Sequence, residues 1–185
     1  MRSVMYLPPE GQKRRGFLKT GLVGGVLLAC GGVGYLAMRK GPSRALPAAG
    51  LQVLDAHEYA VLAAIAARVI PDRPGFPTVE ELGVAATADA VLAKVEPSAQ
   101  AELKQLLRLF DNALTNALFG GRFRPFTALL PPVQDEVLRG WRDSRLLVRR
   151  TGFQALRGLV LAAYYGDPRT WKAVGYPGPL EVKAP

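Results

Sequence analysis

Apolar residues in this chain follow two patterns, one continuous and one periodic. From Thr20 to Met38, 19 consecutive residues carry no charge, close to the roughly 17–20 residues that a helix needs to cross a bilayer. Beyond about residue 55, apolar positions recur at three- and four-residue steps, the mark of helices with one buried face. Leu62, Ile65, Ala66, Val69 and Ile70 give such a face to a helix from His57 to Ile70, with Asp55 as its N-cap and Pro71 as its stop. Residues 71–77 hold three prolines and a glycine and read as a loop. A second helix is expected from Thr78 to Val95, broken near Gly83, with Val84, Ala88, Val91, Leu92 and Val95 inward. Ser98 is placed to cap a third helix from Ala99 to Phe119 that Gly120 and Gly121 end. Its stripe of Leu103, Leu106, Leu107, Phe110, Leu114, Ala117 and Leu118 is the clearest in the chain. A short helix is predicted over Phe126 to Leu130, and Pro132 opens another that reaches Arg142. A long helix follows from Ser144 to Tyr165, with Leu146, Phe153, Leu156, Val160 and Ala163 inward. Strand-type alternation never persists beyond a few residues. The expected fold is all-α: one irregular bundle of five to six helices, preceded by an N-terminal hydrophobic signal or anchor helix and followed by an aromatic, Gly/Pro-rich tail. The implied segments are 1–40 (signal and hydrophobic stretch), 41–54 (linker) and 55–185 (helical domain).

The formal net charge of +9 changes meaning once it is located along the chain. Residues 1–50 carry +7 and residues 51–185 only +2. The basic character belongs to the N-terminal segment, so a phosphate-binding groove and a nucleic-acid partner are not indicated. Arg145, Arg149 and Arg150, and the pair Arg122 and Arg124, read as a solvated helix face and a loop.

Lys13-Arg14-Arg15-Gly16-Phe17-Leu18-Lys19 stands directly before the apolar run. Arg14, Arg15, Phe17 and Leu18 together read as a twin-arginine export signal, which makes the twin-arginine translocase an expected partner. Six glycines in the run lower its hydrophobicity and helix propensity, which suits that route better than general secretion. The route carries proteins that have already folded, to the periplasmic face of the inner membrane. Three fates of the segment are open. Residues 20–38 stay as a membrane anchor; the chain is cleaved near Ala45 to Ala49; or Cys30, after Leu27-Leu28-Ala29, becomes a lipidated N-terminus. Cys30 is the only cysteine, so residues 51–185 hold no internal disulfide, in keeping with folding in a reducing compartment before export.

Passengers on this route usually carry a cofactor or travel with a partner that does. With one His and one Cys in the whole chain, a protein-only zinc, haem or iron–sulfur site is out of reach. A glycine loop between strand and helix is missing, and Ser and His form no credible triad. Glu80–Glu81 and Asp135–Glu136 lie at expected helix starts, where carboxylates complement the helix dipole. His57 reads as a partly exposed residue of a first turn. The expectation is therefore a chain with no catalytic, cofactor or metal residues of its own.

Residues 163–179 gather Tyr164, Tyr165, Trp171 and Tyr176 among glycines and prolines, outside any long helix, in a stretch expected to be stiff and apolar but not helical. Such aromatics either plug the end of their own bundle or anchor a partner, since they bury much area at low entropic cost. Four places carry a resemblance: the segment Arg14–Lys19; Arg68-Val69-Ile70-Pro71; Leu109-Phe110-Asp111; and Tyr164-Tyr165-Gly166-Asp167-Pro168 followed by Trp171-Lys172 and Gly175-Tyr176-Pro177-Gly178-Pro179. In these the chain resembles the gluconate 2-dehydrogenase subunit 3 family, the small subunit of membrane-associated, FAD-dependent sugar and sugar-acid dehydrogenases. The resemblance implies an FAD-containing large subunit as partner, with a cytochrome c subunit often taking the electrons onward. It also implies that this chain holds no cofactor, supplies the export signal, aids maturation of the FAD subunit and crosses with it. Tyr164, Tyr165, Trp171, Tyr176 and Pro177 are the expected partner contact. The competing reading is a stand-alone, membrane-tethered helical binding protein without a dehydrogenase.

Overall fold

A reciprocal pair of hydrogen bonds starts the first helix, α1 (Ala56–Val69). The Asp55 carboxylate accepts from the Glu58 N–H at 2.8 Å, and the Glu58 carboxylate accepts from the Asp55 N–H at 2.9 Å. Two otherwise orphaned donors are satisfied at once. The computed structural model describes residues 50–112 and 124–179. These residues belong to one compact unit, residues 39–185. The twin-arginine segment, the apolar run and Cys30 lie outside the described residues. Within those residues the chain forms six α-helices and two 3-10 turns and no strand, and no helix is long and apolar enough to cross a membrane.

Helix α1 is the hub. Val61, Leu62, Ile65 and Ala66 are fully buried, against α2 (Val84–Leu92), α3 (Pro97–Asp111) and α5 (Leu147–Tyr165). A second focus is aromatic. The Phe110 ring lies 4.8 Å from Phe126 and 4.6 Å from Trp141, so α3, the 3-10 turn Phe126–Ala128 and α4 (Pro131–Arg142) meet at one point. Such ring pairs add to the large area each aromatic buries.

Four expectations need correction. Residues 78–83 are turns, not helix. Thr78 and Glu81 bond reciprocally, but Gly83 takes a left-handed φ of +60° and α2 begins only after it. The inner face of α2 is Val84, Ala85, Ala88, Asp89 and Leu92, while Val91 and Val95 are 39% and 38% exposed. The cause is Asp89, whose buried carboxylate accepts the N–H groups of Gln52, Val53 and Leu54 at 2.6, 3.0 and 2.8 Å. Apolar spacing does not register a carboxylate that belongs inside because backbone donors solvate it.

Helix α3 starts at Pro97 after Glu96, so Ser98 is not its cap, and it ends at Asp111 rather than Phe119. Asn112 is extended, and the Asp111 carboxylate accepts from both the N–H and the hydroxyl of Thr127. Leu114, Ala117 and Leu118 lie outside the described residues. Helix α5 starts three residues later than Ser144, because the Ser144 hydroxyl accepts from the Leu146 N–H and holds a local turn. Leu146 is therefore exposed, whereas Phe153, Leu156, Val160 and Ala163 are buried.

Candidate partner interface

The chain beyond α5 is built as a small cap, and it is more helical than its glycines and prolines imply. Asp167 accepts from the Arg169 N–H at 2.9 Å, and Pro168 occupies the first helical position of α6 (Pro168–Trp171). The Arg169 guanidinium holds the Asp167 carboxyl below the usual carboxylate range, chiefly through its side-chain hydrogen bond. The buried Thr170 hydroxyl donates to the Asp167 carbonyl at 2.8 Å. A 3-10 turn, Lys172–Val174, follows, and Gly175 at φ +71° sends the chain back over the indole. Gly178 passes so close to Trp171 that a Cβ there would lie 3.4 Å from the ring, at a φ of +106° that disfavours side chains.

The five aromatic and proline positions divide by environment. Tyr164 is buried, and its hydroxyl donates to the Pro77 carbonyl at 2.7 Å, tying α5 to the proline-rich loop. Burial pushes its phenol above the usual range. Its bulk is committed to the chain's own core. The Trp171 indole N–H donates to the Tyr165 carbonyl at 2.9 Å, and its ring meets Tyr176 edge-on at 5.3 Å. Tyr165 and Tyr176 are 36% and 47% exposed, and Val174 and Pro177 are also exposed. The outer surface of the cap thus sets the exposed Tyr165, Tyr176, Val174 and Pro177 around a half-buried tryptophan, beside the charged Arg169 and Lys172. It can bury apolar area and offer hydrogen bonds; its side chains hold no nucleophile–base pair.

One further cluster invites a chemical reading. His57 Nε2 lies 3.3 Å from the Asp111 carboxylate, which also takes both bonds from Thr127. Burial raises the Asp111 carboxyl, against the opposing pull of the Thr127 hydrogen bonds and of His57. One cavity reaches Thr127 at its edge, but neither His57 nor Asp111 lines any of the described cavities. It joins the start of α1, the end of α3 and the 3-10 turn, and the carboxylate serves as their common acceptor. Nothing in the spacing of His57, Asp111 and Thr127 foretells their meeting. Among the described residues, no group of three or more His, Cys, Asp or Glu is placed to hold a metal ion.

Neither the curated proteins nor the solved structures hold a match to this chain. The family model described as gluconate 2-dehydrogenase subunit 3 matches residues 56–178, from the first residue of α1 to the glycine that crosses the Trp171 ring. The chain belongs to the gluconate 2-dehydrogenase subunit 3 family, and with it to the accessory subunits of dehydrogenase complexes.

Proposed function

We propose that this chain is the export escort of a flavin-dependent sugar, sugar-acid or alcohol dehydrogenase. It binds an FAD-containing large subunit in the cytoplasm, aids its folding, and takes it through the twin-arginine translocase under the signal centred on Arg14, Arg15, Phe17 and Leu18. The complex then resides at the periplasmic face of the inner membrane. Residues 20–38 hold it there as an anchor, unless the segment is cleaved or Cys30 is lipidated. A cytochrome c subunit receives the electrons. The chain carries no cofactor of its own, and FAD belongs to its partner.

The observation that carries this reading is the family match over residues 56–178. The cap supports it. Trp171, Tyr165, Tyr176 and Pro177 offer the contact surface, with Tyr164 as its buried footing. Aromatic side chains of this kind dominate protein interfaces, and truncating a central one costs about 2 kcal/mol or more.

The test is export and co-purification of the flavoprotein with the full-length chain. Arg14→Lys with Arg15→Lys should leave the flavoprotein in the cytoplasm. Trp171→Ala with Tyr176→Ala should release it from the complex while the variant keeps its helical circular dichroism. A yellow partner that crosses the membrane without this chain would overturn the proposal.

A further inference from the structure

Four arginines from three helices converge on one notch. Arg68 in the last turn of α1, Arg139 and Arg142 in the last turn of α4, and Arg157 in the middle of α5 line a cleft of about 210 Å³, together with Asp135, Val69, Leu138 and Phe153. Its ion pairs are uneven. Arg68 binds Asp135, with Nε at 2.8 Å and a second nitrogen at 3.3 Å. Arg142 grips Asp143 with two bonds of 2.8 and 2.9 Å. The Arg139 Nε donates to the Asp135 backbone carbonyl at 3.3 Å. Arg157 is exposed and has no carboxylate partner among the described residues. Among the described residues, the four guanidinium groups pair with two carboxylates, Asp135 in the wall of the notch and Asp143 outside it.

Helix dipoles explain part of this. Cations in the last turn of a helix complement its negative end, which accounts for Arg68, Arg139 and Arg142. It does not account for Arg157, which projects into the same notch from mid-helix. The whole of residues 144–166 contains no acid to balance it. The notch is also smaller than the roughly 300–1,000 Å³ of small-molecule and cofactor pockets. Its walls are cationic, and its floor is the apolar Val69, Leu138 and Phe153. That combination suits a carboxylate on a short aliphatic stem: the stem covers the floor, and the oxygens meet guanidinium groups that bind carboxylates in a planar fork.

We infer that this notch is a docking point for acidic side chains, Asp or Glu, of the dehydrogenase large subunit. It is a second contact, carried by charge, beside the aromatic cap. The inference rests on the partnership proposed above. Its share is orientation and speed of association, and it weakens with salt.

The experiment measures binding of the full-length chain to its co-expressed flavoprotein at low and high salt. The variants are Arg157→Glu, Arg139→Gln and, as a control of equal charge change, Lys94→Glu, an exposed residue just past α2. Arg157 is exposed and has no carboxylate partner among the described residues, so its variant should fold, with circular dichroism as the check. Arg157→Glu is expected to weaken binding about tenfold or more at low salt, since it sets like charges face to face. Arg139→Gln should weaken it less, and Lys94→Glu should leave it unchanged. If both notch variants bind as the wild type does, or if Lys94→Glu weakens binding equally, the notch is not a docking point, and the escort proposal stands untouched. If the wild-type chain binds no flavoprotein at all, both fall together.

Discussion

The two ends of the helical domain are held by different means. At the N-terminal end, the strand of chain leading into α1 is fixed by buried charge. The Asp89 carboxylate takes three successive backbone N–H groups. One turn later the fully buried Glu58 receives Arg108 at 2.8 Å and Lys104 at 3.6 Å. At the C-terminal end the cap is held mostly near the surface: by the Asp167–Arg169 pair, an Arg169 bond to the Glu81 carbonyl, one indole hydrogen bond and an edge-on ring contact, with the Thr170 hydroxyl bond as its buried element. Buried charge without its partners costs several kcal/mol, so the first end has little freedom to rearrange. Exposed pairs contribute roughly 0–1 kcal/mol, so the second end gives up little of its own stability when it repacks against another surface. The comparison teaches a division of labour. The end nearest the proposed export segment is bolted to its own domain, and the end with the aromatics is left adaptable.

Asp89→Ala tests the bolted end most severely. It strands three backbone donors, one of them fully buried, and each unsatisfied buried group costs about 1–3 kcal/mol. Urea unfolding should show a loss of about 3 kcal/mol or more. Asp89→Asn should cost less, because its one remaining carbonyl oxygen can still accept from Val53 and Leu54. A loss under about 1 kcal/mol for Asp89→Ala would mean that this end is no more firmly held than the cap.

Arg108→Ala comes next. It removes the closest cation from Glu58 and also a 3.3 Å contact to Asp55. Breaking a fully buried pair costs about 3–5 kcal/mol. Arg108 is itself more than half exposed and Lys104 stays in place, so about 1–2 kcal/mol is expected here. Lys104→Ala made on the same background should cost more than it does alone, as groups sharing one partner do.

Tyr164→Phe probes where the two regions meet. It leaves the ring in the core and deletes only the 2.7 Å bond to Pro77. The expected loss is about 1 kcal/mol. Hydrogen exchange should quicken in the turns of residues 78–83 and in α6, and not in α1.

The contrast between the ends also explains what the sequence made legible. Both ends of α1 were readable because Asp55 and Pro71 are local signals, and so was the opening of α4 at its prolines. The inner residues of α5 from Phe153 onward follow apolar period alone. Asp89 was not readable, because a period of apolar residues treats a carboxylate as an outward position, and the donors that bring it inside lie 35–37 residues away. The early end of α3 has the same origin, since Asp111 is claimed by Thr127, 16 residues downstream. The cap was misjudged for a local reason. Asp167-Pro168 is a cap followed by a first-turn proline and marks a helix start, but the surrounding glycines and prolines hid it. The arginine notch was invisible along the chain, because Arg68, Arg139 and Arg157 come together only when α1, α4 and α5 pack.

The smallest effect, and the sharpest for the adaptable end, is its response to acid. The Asp167 carboxyl lies below the usual range because the Arg169 side chain and backbone N–H bond to its charged form. A carboxyl whose folded value is depressed adds stability above its unfolded value, near 3.8, and loses it as pH falls through the folded value. The cap should therefore stay closed down to about pH 4 and loosen below it. Both partners are at the surface, so salt should shrink the effect. The Arg169 amide resonance reports it directly, moving only below that pH in the wild type. In Asp167→Asn, which can still cap but cannot titrate, it should stay still. Titration of the wild-type amide at or above the ordinary carboxylate range would mean that the pair does not hold the cap. The exposed end would then owe its shape to Trp171 and its two glycines alone.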